Sequence, residues 1–233
     1  MTTLHYVFDP LCGWCYGAAP LISAARGIPG LDIAIHAGGM MIGPNRQAVT
    51  PQLRDYVMTH DKRIAQLTGQ PFGEAYFDGL LCDRGAVLDS APPSTAILAA
   101  EELLGRGLDM LHRVQSAHYV DGRRIANATV LAELAQELEL DVPAFAMAFE
   151  RLAGSATDRH FAESRDWLAR VGGQGFPTMA LEHTDGTMER LDVGTWLGRT
   201  VEWTDYLRKH VSSKADPKQS NGDLLCSVDG CAI

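Results

Sequence analysis

The sequence predicts an α/β fold in two halves, strand–helix–strand at the start and strand–strand–helix near the end, with a large all-helical domain inserted between them. Three observations carry this. Residues 1–39 read as β, α, β; from Met40 to about Val171 helix signals recur without a convincing strand; residues 172–211 return to two strands and a helix. Two strands at either end could not make a stable sheet separately, so one sheet interrupted by an insertion is the simplest arrangement. At 233 residues, 46% of them hydrophobic, the chain is long enough for one large domain or two small ones. The expected division is 1–39 with 172–211 as a discontinuous sheet domain, 40–171 as the inserted helical domain, and 212–233 as a flexible tail.

Taken in order, Leu4 to Phe8 mixes aromatic and branched residues as a short strand does. Asp9-Pro10 interrupts it, because Pro10 cannot donate to a ladder. Ala18 to Ala25 has helical composition, and Pro20 within it predicts a kink. Gly27 to Gly30 ends that helix, and Leu31 to His36 alternates with period two, the mark of a second strand. In the middle region Ser90-Ala91-Pro92-Pro93 opens a helix that stops at Gly105. Asn127 or Thr129 caps another, with Val130, Leu134 and Leu138 at four-residue spacing on one face. Asp141-Val142-Pro143 starts the next, with Phe145 and Phe149 on its apolar side. Ser155 to Val171 closes the series at Gly172-Gly173. Thr178–Glu182 and Met188–Asp192 flank Thr184-Asp185-Gly186-Thr187, and Asp-Gly between two short runs signals a hairpin. A last amphipathic helix is expected from Thr195 to about His210.

Twenty Lys and Arg against 29 Asp and Glu leave a net charge of −9, which disfavours nucleic acid and anionic lipid as partners. No segment offers the roughly 18 uninterrupted apolar residues of a membrane span. The N-terminus, Met1 to Phe8, lacks the basic and apolar regions of a secretion signal, so the expected location is the cytoplasm.

Four of the five cysteines fall into close pairs, Cys12-Gly13-Trp14-Cys15 and Cys226 with Cys231, which points to redox chemistry or metal. Cys82, alone in an apolar stretch, is expected to be a buried thiol. The first pair follows a strand and opens a helix. Cys12 at the helix start is stabilised as a thiolate by unpaired N–H groups and the positive dipole end, which lowers its pKa and makes it nucleophilic. Cys15, one turn in and shielded, can resolve a mixed disulfide by attacking Cys12. Trp14 is expected to offer an exposed apolar surface to unfolded substrate. Gly175-Phe176-Pro177-Thr178 precedes the hairpin. A cis Phe176–Pro177 bond would bring Pro177 against the cysteines and free the Phe176 backbone to pair with an extended substrate; a trans proline at a strand start reads equally well.

The run from Phe8 to Gly17, FDPLCGWCYG, resembles the active-site motif of the DsbA-like branch of the thioredoxin superfamily. Within that branch the chain is most similar to FrnE-like predicted cytoplasmic protein-disulfide isomerases. Three further places carry the resemblance: His118-Tyr119-Val120-Asp121-Gly122-Arg123-Arg124-Ile125 with Val130-Leu131, the Gly175–Thr178 loop, and the Cys226/Cys231 pair. It implies a thioredoxin-like fold with a helical insertion, and a disulfide oxidase or isomerase acting on cysteine-containing proteins or peptides. Cys12 would be the nucleophile, Cys15 the resolving thiol and Pro177 the cis-proline, with Trp14 and Phe176 at the substrate. No resident cofactor is implied beyond the redox-active disulfide, which can exchange with glutathione or another thiol partner, and no metal. Gly13 departs from many relatives, and the two residues between the cysteines tune redox poise.

Two other readings stand beside this one. Glutathione-dependent enzymes of the kappa-class transferase or chromene-carboxylate isomerase type share the architecture but usually carry Ser where Cys12 stands. The four paired cysteines could also form a tetrathiolate zinc site. About 15 residues separate Val211 from Cys226, a reach of roughly 20 Å, so Cys226 and Cys231 could act as an auxiliary pair that exchanges with Cys12 and Cys15. Asp9 reads either as a turn organiser or as a buried acid serving Cys15. His5, His36, His112 and His118 show no ligand spacing and receive no role.

Overall fold

The structure, a computed structural model, describes residues 1–212; Cys226 and Cys231 lie outside the described residues. Strand β1 (Thr2–Phe8) is central, and Leu4, Tyr6, Val7 and Phe8 are all buried, as expected of a strand covered on both faces. Strand β2 (Leu31–Ala37) runs parallel to it, from Thr2 opposite Leu31 to Phe8 opposite Ala37. On the other side β5 (Thr178–Glu182) pairs antiparallel, with Val7 opposite Thr178 and Thr3 opposite Glu182. Strand β6 (Met188–Leu191) follows β5 through the Asp185-Gly186 turn and completes the order β2-β1-β5-β6. The two halves of the chain thus close one sheet around a helical insertion, the fold class the sequence implies.

Between β1 and β2 the expected kinked helix is two helices, α1 (Gly13–Gly17) and α2 (Ala19–Arg26). Pro20 has no N–H to continue the ladder from Tyr16, so Ala18 ends one helix and starts the next. The insertion contains α3 (Pro51–Thr68), α4 (Ala91–Leu104), α5 (Gly107–Tyr119), α6 (Ala128–Glu137), α7 (Val142–Leu152) and α8 (Ser155–Arg170). Helix α4 is its core: Pro93 to Ile97, Ala99 and Ala100 are buried.

The structure departs from the sequence-based expectation in the insertion, at Cys82 and at the last helix. The insertion is not all helical, because β3 (Gln47–Ala48) pairs with β4 (Val87–Leu88). Two residues per strand leave no periodic signal to read. Cys82 is exposed instead of buried: it ends a 3₁₀ turn in which Leu80 and Leu81 take the inward positions. The last helix, α9 (Thr200–Ser212), starts later than expected. Asp192 caps a separate 3₁₀ turn at Val193–Thr195, and Gly198 at φ 74° turns the chain before the helix begins. Trp203, fully buried, ties α9 to α2 by donating from Nε1 to the Leu21 carbonyl at 2.9 Å.

Candidate active site

Strand β1 delivers the chain to Asp9, and the Cys12 N–H bonds back to the Asp9 carbonyl at 3.1 Å. Cys12 is the extended residue before α1 (φ −88°, ψ 113°), and its carbonyl accepts from the N–H groups of Cys15 and Tyr16. That one turn sets the roles of the two sulfurs. Cys12 keeps 7% of its surface exposed, while Cys15 has none. Burial pushes the Cys15 thiol well above its ordinary pKa, and its hydrogen bond to the Cys12 sulfur and repulsion from Cys12 add to the rise. The Cys12 thiol donates to the Phe176 carbonyl at 3.4 Å, so the loop before β5 meets the nucleophile candidate directly. The Phe176–Pro177 peptide is cis.

Asp9 is fully buried, and both readings of it meet in one place. Its carboxylate accepts from Leu11 N (2.9 Å), Ser90 Oγ (2.9 Å) and Met40 N (2.6 Å), which joins β1, the loop after β2 and the start of α4. Burial raises its pKa to about 6 against these hydrogen bonds, and its charge reaches Cys15. The loop it holds is braced from α8. Arg165 donates from Nε to the Gly38 carbonyl (3.0 Å) and from Nη2 to the Gly39 carbonyl (2.6 Å). Gly38 must lack a side chain, since a Cβ there would lie 2.2 Å from the Phe176 ring.

On the other side of Cys12 a groove of about 570 Å³ opens between α1 and the insertion, lined among others by Trp14, Met40, Tyr56, Asp61, Ile64 and Tyr119. Trp14 is half-buried rather than exposed, packed on the core with the Arg63 guanidinium 6.0 Å from its ring centre. Asp61 comes from α3 and is held by the Tyr76 hydroxyl at 2.8 Å; burial raises its pKa to about 6. It also accounts for Gly13, where a Cβ would stand 2.5 Å from Asp61 Oδ1.

The structure therefore brings Cys12, Cys15, Trp14 and Phe176 together. Pro177 opens on a different hollow, about 370 Å³, shared with Thr178, Arg190 and Asp192. The auxiliary pair, Cys226 and Cys231, and with it the tetrathiolate reading, falls outside the described residues. His5 and His36 stack on Trp167 against the sheet, away from the groove, whereas His118, given no role from sequence, lines it. Sequence reasoning missed Asp61, Tyr76, Ser90 and Arg165. His118 and Tyr119 carried a signal, because they open the block that resembles the family's inserted domain.

A family described as the DSBA-like thioredoxin domain matches residues 3–199. Among solved structures, the cytosolic disulfide reductase DsbM from Pseudomonas aeruginosa is similar at 56% sequence identity and a TM-score of 0.84, over 89% of this chain and 97% of that one. The same reductase with glutathione gives 53% identity and a TM-score of 0.82, over 89% and 98%. A crystal structure from Nitrosomonas europaea, 23% identical, shares the fold at a TM-score of 0.72, over 88% of this chain and 95% of that one. A search of curated proteins finds no match.

Proposed function

This chain belongs to the DSBA-like thioredoxin family, and from that premise we propose that it reduces disulfides in proteins or peptides in the cytoplasm, with glutathione as its electron donor. The observation that carries the reading is the unequal pair: Cys12 at the groove, Cys15 sealed beneath it with a raised pKa. An accessible thiol attacks, and a buried one waits to resolve. The reducing direction, in place of the oxidase or isomerase direction that the resemblance implies, is supported by the 56% identical relative, a cytosolic disulfide reductase, and by the structure of that reductase with glutathione.

In this reading the Cys12 thiolate attacks one sulfur of the substrate disulfide. A mixed disulfide forms and one substrate thiolate leaves. Asp9 takes the proton of Cys15, whose sulfur then displaces the second substrate thiol and closes the Cys12–Cys15 disulfide. Two glutathione molecules restore the dithiol and leave as glutathione disulfide. The Phe176 carbonyl, released when Cys12 gives up its proton, faces the extended substrate. Trp14 covers the adjacent apolar contact.

Equilibration of the Cys12/Cys15 couple with glutathione buffers, read by tryptophan emission, tests the direction. A potential near about −270 mV is expected of a reductase, and one near about −120 mV would mark an oxidant and overturn the assignment.

A further inference from the structure

The groove beside Cys12 has a polar floor that the thiol chemistry leaves unused. Asp61 is 4% exposed, and among the described residues its one hydrogen bond comes from the Tyr76 hydroxyl to Oδ2. Oδ1 has no donor among the described residues and stands at the groove wall over Gly13. His118 lines the same groove at 2% exposure, with its Nδ1 sealed beneath the surface and without a partner among the described residues. Burial keeps its imidazole neutral, with a pKa pushed down to about 3. Tyr119 also lines the groove, and its hydroxyl has no hydrogen-bond partner among the described residues. The His118, Tyr76 and Tyr119 rings pack on one another. The ring centres lie 4.6 Å apart for His118 and Tyr119, 5.2 Å for Tyr76 and His118, and 5.3 Å for Tyr76 and Tyr119. Tyr119 is also near enough to Asp61, Cys12 and Cys15 to feel their charges.

Asp61 Oδ1 and the Tyr119 hydroxyl, an acceptor and a group that can accept, thus share one aromatic-walled space next to the sulfur that attacks. A primary ammonium brings three N–H donors and no acceptor, and a positive charge suited both to a carboxylate and to tyrosine faces. An anion would meet Asp61 at close range, and an apolar side chain would leave both groups unsatisfied. Arg46, a cation on the rim, is engaged by Asp89 at 3.4 Å. We propose that this floor is a recognition subsite for a primary ammonium group carried by the disulfide substrate, held by Asp61 Oδ1 and the Tyr119 hydroxyl. The substrate class is a disulfide with a free α-amino group or an amine-bearing side chain close to its cysteine, and the groove volume of about 570 Å³ suits a ligand of that size. This subsite rests on the reading of Cys12 as the attacking thiol.

Single-turnover oxidation of the reduced full-length protein tests it with two disulfides of similar length. Cystamine ends in two ammonium groups; bis(2-hydroxyethyl) disulfide is neutral. Each reaction forms the mixed disulfide on Cys12, then the Cys12–Cys15 disulfide, and releases two small thiols, so no further reductant is needed. Rates are divided by those of dithiothreitol with the same disulfide, at about 0.3 M salt to screen the net charge. A preference for cystamine of about tenfold or more is expected, falling to about twofold in Asp61→Asn and by several-fold in Tyr119→Phe. Equal normalised rates in the unsubstituted protein, or a preference that survives both substitutions, would overturn the subsite. If neither disulfide reacts, the thiol reading fails, and calorimetric titration of both compounds into Cys12→Ser decides the subsite separately. Tighter binding of cystamine by about tenfold supports it, and equal affinities overturn it.

Discussion

Gly13 lacks a side chain because of a carboxylate on another element. With Asp61 Oδ1 2.5 Å from its would-be Cβ, Gly13→Ala forces the buried Asp61 carboxylate to move and strains its bond from Tyr76. A loss of about 1–3 kcal/mol is expected, read from urea midpoints at constant slope. His118 gives a pH signature with a definite sign. Burial lowers its folded pKa to about 3 from the ordinary 6.5, so the folded state binds fewer protons than the unfolded one between those values. Stability is complete above pH 6.5 and is lost as pH falls. By pH 5 the loss is about 2 kcal/mol, at about 1.4 kcal/mol per unit. Asp9 and Asp61, each raised to about 6, act in the opposite sense, with stability present below about pH 4 and lost as pH rises through about 6. The comparison of His118→Gln with the unsubstituted chain isolates the histidine. Between pH 7.5 and 5 the variant should lose about 2 kcal/mol less in urea unfolding, and equal losses would contradict a buried neutral imidazole. Neither role was readable from sequence. Asp61 sits in His60-Asp61-Lys62-Arg63, which reads as a solvated run, and only the packing of α3 on α1 turns that carboxylate inward.

Elements with a long, uninterrupted period were legible. Strands β1, β2, β5 and β6 and helices α4, α6, α7 and α8 appear within a few residues of where turn and cap residues put them. Proline and glycine carry much of this: Pro20 breaks α1 from α2, and Gly105, in the left-handed region at φ 64°, ends α4. Elements set by tertiary pairing were not legible. Strands β3 and β4 exist only because each supplies the other's hydrogen bonds, and the turn at Leu80–Cys82 exposes its thiol because its leucines fill the core first. Helix α8 illustrates function assigned to an element by contact alone. Its Arg165 holds the Gly38 and Gly39 carbonyls, and that loop both seats Phe176 and donates to Asp9 through Met40. Arg165→Ala is expected to cost about 1–3 kcal/mol, since charged hydrogen bonds are lost at part-buried carbonyls. It should also slow oxidation of the dithiol several-fold. Thermal melts and stopped-flow oxidation check the two effects, and a destabilised variant reacting at the full rate would show that the brace is structural alone.

At the scale of the whole molecule, the two cysteines and the loop that meets them come from opposite ends of the sequence. Pairing of β1 with β5 brings the Phe176 carbonyl to Cys12, and the insertion between them is tolerated because closure entropy grows slowly with length. The sequence alone revealed the halves of this arrangement through Cys12, Cys15 and the Gly175–Thr178 loop. It could not reveal the groove, whose walls are drawn from α1, α3, α5 and the loop after β2. The division of labour between an attacking and a sealed sulfur is the claim on which the functional account stands. It is tested most directly by mixing the Cys15→Ser chain with glutathione disulfide and mapping adducts by peptide mass spectrometry. The account predicts a stable glutathione adduct on Cys12, and in Cys12→Ser no adduct on Cys15. An unmodified Cys12, or a Cys15 that is modified as fast, would contradict it.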